Sequence, residues 1–354
     1  MRWSSRLIPL LLGALPLAVQ AALPQRTFVA SNGLDTNPCS LTAPCRGFAM
    51  AVAAMAQGGE VVVLDSAGYG PVTITKSVQI VAPLGVHAGV SVLFGGGVTV
   101  DGAGIKVVLR GLSIINQGGG NGIEFLQGIS LHVENCVISG FTGGTGIFVG
   151  NMGGDIHVLD TIVRDALDGI VLVSFGGTAN ISRTRVERVT NGGISVLANM
   201  VVSFEDSVVA GSGFNIDVNP LSPGYTYVTV ARTLVADGHH GIIARPNATS
   251  TAHVTVMDST IAHATIVGIY AIQDVGAAGT TVVTAARNQL LGNTTALWAD
   301  GPTVRLVLDG NSVSSNGTGV YRFNGATIVT RGNNTVDSNA LDTFGTPYTS
   351  LGGI

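Results

Sequence analysis

The chain repeats a unit of about 24 residues from Gly111 to near its C-terminal end, and this period constrains the fold more than any other feature. Each unit reads roughly V-x-V-x-[R/D]-[T/S/N]-x-[I/V], and a Gly-[I/V] pair follows six to eight residues later. The apolar anchors of the units are Ile114, Ile138, Val163, Val186, Val209, Val235, Ile261, Leu290, Val313 and Val336, separated by 24, 25, 23, 23, 26, 26, 29, 23 and 23 residues. Such a period is typical of a solenoid, in which each unit buries its apolar face only by stacking on its neighbours.

Within each unit, the apolar residues are spaced as on one face of a β-strand. Leu131 and Val133, for example, lie two residues apart before the anchor Ile138. A spacing of two predicts strands, and helices do not fit such short units, in which Gly and β-branched residues recur. We therefore predict an all-β solenoid whose coils hold two or three short strands, each pairing in parallel with its equivalent in the next coil.

Two columns of polar residues stand shortly before the anchors. The first contains small or polar residues: Gly111, Cys136, Thr161, Thr184, Ser207, Thr233, Ser259, Asn288, Asn311 and Asn334. Cys136 takes a Ser/Thr place there and is interpreted as a buried small side chain. We expect the three Asn side chains to form an amide ladder between coils.

The neighbouring column reads Arg110, Asn135, Asp160, Arg183, Asp206, Arg232, Asp258 and Arg287. Its charges alternate in sign from Asp160 onward, so stacked coils about 4.8 Å apart would place opposite charges side by side. We interpret this column as structural, because alternation favours one register. The Gly of each Gly-[I/V] pair is expected to supply a positive φ at a turn.

The two ends of the chain differ from the repeat. Residues 1–21 resemble a signal peptide: Arg2 and Arg6 precede an apolar stretch, and small residues suit cleavage after Ala21. Residues 22–60 are predicted to form an N-terminal segment with a Cys39–Cys45 loop and a capping helix that ends at Gly58. The parallel β-helix is predicted over residues 61–340, and a C-terminal tail over residues 341–354.

Export follows from the predicted signal peptide. We expect a periplasmic, extracellular or cell-surface protein without a later membrane span. Export makes a disulfide between Cys39 and Cys45 plausible, and two free thiols are the alternative. Without Arg2 and Arg6, the chain has 15 basic and 21 acidic residues, and no basic cluster indicates nucleic acid. No metal or cofactor motif is recognised.

Three segments carry a resemblance to a known architecture: GGEVVVL at 58–64, VTITKSVQI at 72–80 and VENCVISG at 133–140. With the capping helix, they resemble right-handed parallel β-helix proteins of the pectin-lyase-like type, nearest to exported bacterial members without an assigned activity. The resemblance covers nearly all of the mature chain. It implies that polysaccharide lyases, hydrolases and esterases are possible relatives, but fold alone does not assign activity.

The catalytic motifs of such enzymes are not matched here. The nearest element to the polygalacturonase Gly-His-Gly is Asp237-Gly-His-His-Gly, and Arg245-Pro246 lacks the rest of the pectate-lyase motif. Asp237 and His263 share one position in adjacent coils and, with His240, are weak catalytic candidates, since an Asp–His pair can do acid–base work. The alternative is a surface pair on a turn.

The residues that follow the Gly-[I/V] pairs are expected to point outward, and on three successive coils they are Tyr270, Trp298 and Tyr321. This strip could bind sugars or another protein; mutual packing or cover from the tail is the alternative. The leading hypothesis is an exported, non-catalytic β-helix scaffold that presents a rigid surface to polysaccharide or a cell-surface component. A polysaccharide lyase or glycoside hydrolase with an unrecognised site is one alternative, and an adhesin or assembly component is another.

Overall fold

The computed structural model describes residues 22–150, 153–173, 176–247, 249–274, 276, 278–345 and 348–350. The predicted signal peptide lies outside these residues. Within them the chain forms one helix, α1 (Phe48–Ala54), and three long parallel sheets. The predicted all-β parallel β-helix with a short N-terminal helix is confirmed.

Each complete coil contributes one strand to each sheet, in the order sheet 1, sheet 2, sheet 3. Sheet 1 consists of β1 (Arg26–Val29), β2 (Gly59–Val63), β5 (Val78–Val81), β8 (Lys106–Arg110), β11 (Ser130–Glu134), β14 (Asp155–Leu159), β17 (Thr178–Ser182), β20 (Val201–Glu205), β23 (Tyr225–Ala231), β26 (Thr251–Met257), β29 (Thr280–Ala286), β32 (Val304–Asp309), β35 (Thr327–Thr330) and β38 (Thr349–Ser350). Sheet 2 consists of β3 (Ala67–Gly68), β6 (Ala88–Val92), β9 (Leu112–Asn116), β12 (Val137–Ser139), β15 (Ile162–Ala166), β18 (Arg185–Val189), β21 (Val208–Ala210), β24 (Leu234–Ala236), β27 (Thr260–Ala262), β30 (Gln289–Leu291), β33 (Ser312–Ser314) and β36 (Thr335–Val336). Sheet 3 consists of β4 (Val72–Ile74), β7 (Val98–Asp101), β10 (Ile123–Gln127), β13 (Thr145–Val149), β16 (Asp168–Leu172), β19 (Gly192–Val196), β22 (Phe214–Val218), β25 (His240–Ala244), β28 (Val267–Ile272), β31 (Thr295–Asp300), β34 (Thr318–Phe323) and β37 (Leu341–Phe344).

The core is a set of apolar columns that run along the solenoid axis. The predicted anchors form the inner column of sheet 2, where Ile138 pairs with Ile114 on one side and with Val163 on the other. All of the anchors are fully buried except Val336, which is partly exposed in the last coil. The apolar residues of the Gly-[I/V] pairs form the inner column of sheet 3. Each coil therefore buries its apolar side chains against the coils above and below it.

The charged column lies at the turn between sheets 1 and 2, and its residues have positive φ angles. Asp160 (φ 50°), Arg183 (φ 46°), Asp206 (φ 52°) and Arg232 (φ 49°) are all left-handed, a conformation that is uncommon for residues other than Gly. The predicted pairing is confirmed, because Arg183 donates two hydrogen bonds to Asp160 at 2.7 and 2.9 Å. Arg232–Asp206 and Arg287–Asp258 repeat this arrangement.

The first repeated coil departs from the predicted columns by one residue. Gly111 takes the left-handed position (φ 76°) that Asn135 takes in the next coil, so Leu112 rather than Gly111 aligns with Cys136. Arg110 consequently stands opposite Glu134, with which it forms an ion pair at 2.6 Å. The prediction that placed Gly111 in the small-residue column is wrong, since Gly111 precedes Ile114 by three residues, as Asn135 precedes Ile138.

The Gly-[I/V] glycines have a different role from the predicted one. They are not in the left-handed region, and the expectation of positive φ at this column is wrong. A Cβ placed on Gly122 would lie 2.5 Å from the carbonyl oxygen of Gly146 and 2.6 Å from Cγ2 of Ile138. Adjacent coils approach closely at Gly122, which favours glycine there. Asn215 and Ala296 take the same position in two other coils.

The small polar column from Cys136 to Asn311 is buried, with Asn334 partly exposed in the last coil, and its amide ladder forms between coils as predicted. Asn288 donates from Nδ2 to Oδ1 of Asn311 at 3.1 Å, and Asn311 donates in the same way to Asn334 at 2.8 Å. The Cys136 thiol is buried, and burial raises its pKa to about 11. These contacts satisfy polar groups at the turns, which would otherwise destabilise the fold.

A second amide ladder, which the sequence analysis missed, lies at the turn between sheets 2 and 3. Asn293 donates from Nδ2 to Oδ1 of Asn316 at 3.0 Å, and Asn316 donates to Asn339 at 2.9 Å. Its members follow those of the first ladder by five residues in each coil, for example Asn293 after Asn288. The C-terminal coils thus carry buried amides at two of their turns.

The N-terminal segment closes one end of the solenoid. Helix α1 buries Phe48, Ala51 and Val52 against the first strands, and Met55 beyond its end is also buried. Cys39 and Cys45 are joined by a disulfide, with their Cα atoms 4.6 Å apart. Strand β1 lies within this segment, so pairing in sheet 1 starts earlier than the predicted boundary at residue 61.

The C-terminal end also differs from its predicted boundary. Residues 341–344 and 349–350 belong to β37 and β38, so strand pairing continues into the segment that was predicted as a tail. Tyr348 packs against the last core residues. No helix in the described part of the chain is long and apolar enough to cross a membrane.

Candidate functional site

The three aromatic residues of the predicted strip lie side by side on the outward face of sheet 3. Tyr270 of β28 pairs with Trp298 of β31, which pairs with Tyr321 of β34. Their ring centroids are 4.8 and 4.7 Å apart, close to the spacing between neighbouring strands. Regular strand pairing therefore fixes the rings at this distance.

The strip is part of a longer series of ring contacts along sheet 3. Tyr321 packs on Phe344 at 4.8 Å at one end, and Tyr270 faces His240 at 6.1 Å at the other, where His240 stacks on Phe214 at 5.1 Å. We call this series the aromatic row; its members are Phe214, His240, Tyr270, Trp298, Tyr321 and Phe344. One ring from each of six successive coils contributes to it.

The rings of the row pack on one another and are still partly accessible. Tyr270, Trp298 and Tyr321 are partly buried, and Phe344 is 47% exposed. Trp298 and Tyr321 meet edge to face, with 86° between their ring planes. The row is therefore not a continuous stack of parallel rings. The row therefore combines mutual packing with an accessible aromatic surface.

A cleft with a buried ion pair lies at the Phe214 end of the row. Asp217 accepts two hydrogen bonds from Arg245, from Nε at 3.0 Å and from Nη2 at 2.7 Å. The guanidinium also lies over the Phe214 ring, 4.8 Å from its centroid. The residues that line the cleft are Asp168, Val171, Asn191, Gly192, Ser195, Leu197, Phe214, Asp217, Asn219, Leu221 and Arg245.

The electrostatics of the ion pair oppose a role for Arg245 in proton transfer. Its hydrogen bonds to Asp217 raise the pKa of Arg245 above the already high value of a guanidinium. A general base must be unprotonated near the working pH, so that it can accept a proton from the substrate. Arg245 therefore stays cationic and can only orient or stabilise charge.

His240 belongs to the row rather than to the Asp237–His263 neighbourhood. Burial lowers its pKa, and the charges of Arg245 and His239 lower it further. Its Nδ1 atom is buried and has no hydrogen-bond partner among the described residues. The ring is held by stacking between Phe214 and Tyr270. A neutral imidazole in this position acts as an aromatic side chain.

Asp237 and His263 do lie together, at the turn that follows sheet 2. His263 Nδ1 and Asp237 Oδ1 are 3.2 Å apart, and the two side chains are 62% and 66% exposed. Both residues have positive φ angles and align with Asp165 and Arg188, an ion pair of the same turn that lies three and two coils before Asp237. The geometry is that of a surface pair in a structural column.

A second aromatic cluster, absent from the sequence predictions, lies on the outward face of sheet 1. Tyr227 stacks on His253 with centroids 5.0 Å apart, and Tyr225 lies 6.4 Å from both rings. Tyr225 and Tyr227 are 62% and 48% exposed. The Tyr-Thr-Tyr sequence at 225–227 was the signal that could have revealed it, because alternate residues of a strand share one face.

Comparison with solved structures identifies the architecture. A crystal structure of the pectate lyase Pel9A superposes with a TM-score of 0.56 over 90% of this chain and 80% of the lyase, at 16% identity. The fold is pectin-lyase-like. The Dettilon tailspike protein gp208 matches with a TM-score of 0.47 (14% identity; 88% of this chain, 67% of the tailspike). A GH136 lacto-N-biosidase from Eubacterium ramulus matches with 0.39 (11% identity; 92% and 67%).

No protein-family model matches the chain, and no curated protein matches it. The β-helix architecture is shared with the pectate lyase structure at 16% identity, so the site must be judged from its own residues. Within the described ranges, no group of three or more His, Cys, Asp or Glu side chains has the arrangement of a metal site. What distinguishes sheet 3 is the aromatic row and the cleft beside it.

Proposed function

We propose that this protein is an exported β-helix scaffold that binds polysaccharide along the outward face of sheet 3 and does not cleave it. The observation that carries the proposal is the aromatic row, in which rings from six coils contact one another in series. Five intervals at the strand spacing give the row a length of about 24 Å. A surface of this length suits an extended polymer better than a small molecule.

The chemistry of the row also favours a sugar polymer. Tyr270 and Tyr321 offer an apolar ring together with a hydroxyl group, whereas Trp298 offers apolar surface, since its Nε1 atom is buried. Carbohydrates present CH groups and hydroxyls that suit such rings. Next to the rings, Asn191, Ser195 and Asn219 line the cleft with hydrogen-bonding groups. An apolar surface with a few polar groups is the usual composition of a ligand site.

The rigidity of the scaffold supports binding without large rearrangement. Trp298 sits on β31, which is hydrogen-bonded to β28 on one side and to β34 on the other. Side chains held on paired strands lose little further freedom when a ligand binds, which favours affinity.

A polysaccharide lyase or hydrolase remains the second candidate, and one observation favours it. The Asp217–Arg245 pair is largely buried at the edge of an open cleft, and such charged pairs often occur at catalytic sites. The raised pKa of Arg245 supports the binding interpretation instead, because it removes the obvious base.

The binding proposal is tested by native gel electrophoresis in gels that contain one polysaccharide at a time. We expect wild-type protein to be retarded by at least one polymer and Trp298→Ala to raise the dissociation constant about tenfold or more. The matched control is Tyr227→Ala, which removes an exposed ring from sheet 1 and should leave retardation unchanged. Phe344→Ala, at the exposed end of the row, serves if Trp298→Ala does not fold by circular dichroism.

Unchanged retardation in both row variants would refute the row as the binding surface. The enzyme alternative is tested on the same polymers by following the ultraviolet absorbance of unsaturated products and by following new reducing ends. Turnover that is lost in Arg245→Gln would overturn the non-catalytic proposal.

A further inference from the structure

On the basis of the proposed function, we infer that the row binds a neutral glycan and discriminates against polyuronates. The argument rests on the charges that stand beside the row. Four described charged side chains lie on the outward face of sheet 3, or just after the C-terminal ends of its strands, in the coils from β22 to β31. They are Asp217, Arg245, Asp274 and Asp300. Three are acidic and one is basic.

The single cation among them is already neutralised. Arg245 uses Nε and Nη2 on the two carboxylate oxygens of Asp217, and its guanidinium lies over the Phe214 ring. Asp274 is also close enough to act electrostatically on Arg245. A uronate carboxylate would have to compete with an intramolecular carboxylate that is held in bidentate geometry, which is the strongest arrangement for this pair of groups.

The remaining acids place negative charge at the centre of the row. The Tyr270 hydroxyl lies 3.4 Å from Oδ2 of Asp300. Burial, together with the negative charges of Asp300 and Asp274, raises the pKa of Tyr270. The negative charge that keeps the Tyr270 hydroxyl protonated would also repel the carboxylate of a ligand.

The last coils do not compensate for this charge. Arg322 lies on β34 beside Tyr321, and its Nε donates to the carbonyl oxygen of Ala326. Asp342 of β37 accepts hydrogen bonds from Asn339. The rings and hydroxyls of the row are therefore bordered by net negative charge, and complementarity favours a ligand that has hydroxyl groups and no carboxylates.

The inference is tested with galactomannan, arabinoxylan, xyloglucan and mixed-linkage β-glucan as neutral probes, and with polygalacturonate as the anionic probe, in calcium and in EDTA. We expect at least one neutral polymer to be retained through Trp298. Polygalacturonate should bind about tenfold more weakly or not at all, and added salt should reduce the difference because it screens repulsion.

Two charge variants make the test specific. The double variant Asp274→Asn/Asp300→Asn should increase polygalacturonate binding relative to neutral binding. Asp101→Asn/Asp337→Asn changes the net charge equally at exposed positions away from the row and should have neither effect. Polygalacturonate retention as strong as that of any neutral polymer, with or without calcium, would overturn the inference while the proposed binding function stands. Retention of no polymer at all would overturn both.

Discussion

Arg245 reaches across one coil to hold Asp217 by two hydrogen bonds, 2.7 and 3.0 Å long, at the edge of the cleft in sheet 3. The two residues are 28 positions apart in the chain, and the strand that precedes Arg245 pairs with the strand of Asp217. The side chain of Asp217 is 8% exposed and that of Arg245 is 27% exposed. This ion pair is much less solvated than the pairs of the turn columns.

We predict that Arg245→Leu lowers the free energy of unfolding by about 3 kcal/mol, because it leaves the Asp217 carboxylate buried without its partner. Asp217→Asn should cost less, since the partly exposed guanidinium can still reach water. Urea denaturation followed by circular dichroism measures both. Arg183→Leu, which breaks the exposed pair with Asp160, is the control and should change stability little. Equal effects of the Arg245 and Arg183 variants would show that burial of the pair is unimportant.

Asn311 is the central member of the first amide ladder, and its loss should be costly. Its side chain donates to the carbonyl oxygen of Ala285 and to Asn334, and it accepts from the backbone and side chain of Asn288. Asn311→Ala leaves several buried polar groups unpaired, so we expect a loss of about 2–4 kcal/mol. Urea denaturation measures this loss. The control is Asn333→Ala, which removes an exposed amide next to the ladder residue Asn334. A loss no greater than in the Asn333 variant would contradict the ladder account.

The Gly-[I/V] column predicts a steric effect of a single methyl group. Gly122→Ala forces a Cβ against the backbone of Gly146, and we expect it to destabilise the protein by about 1–3 kcal/mol. Gly143→Ala is a suitable control, since nothing lies within 4 Å of a Cβ there and its φ is not positive. Thermal unfolding of both variants gives the comparison. A stability of Gly122→Ala equal to that of the control would mean that the coils can separate without cost.

The sequence period predicted the fold because it determines which residues stack. Once coils are aligned, Ile114, Ile138 and Val163 must share a column, and the same holds for Asn288 and Asn311. The period did not reveal backbone conformation. Charged residues at the first turn adopt the left-handed conformation, whereas pattern alone pointed to glycine for that role. The distance between neighbouring coils, which the sequence pattern does not reveal, determines where glycine is favoured.

The candidate site was predicted only in part, for a related reason. Tyr270, Trp298 and Tyr321 share one column, so the sequence could align them. Phe214 and His240 occupy a different column and join the row through diagonal contacts. Arg245 likewise meets Asp217 diagonally. Contacts of this kind depend on side-chain direction as well as register, and repeat spacing gives only the register.

His240 gives the row a predicted pH dependence. Burial lowers its pKa in the folded protein, whereas an unperturbed histidine titrates near a pH of about 6.5. Below that pH the unfolded chain binds the proton more readily than the folded one. The stabilisation linked to neutral His240 is therefore complete above about pH 6.5 and declines as the pH falls toward the lowered pKa.

The variant His240→Phe should keep an aromatic ring in the row and remove this titration. We expect the free energy of unfolding of wild-type protein to fall more steeply than that of His240→Phe as the pH decreases below about 6.5. Burial also lowers the pKa of His132, so His240→Phe should retain part of the dependence and His132→Phe/His240→Phe should retain less. Urea denaturation across a pH series measures the slopes. Parallel curves for wild-type protein and His240→Phe would show that His240 does not titrate differently in the folded and unfolded states.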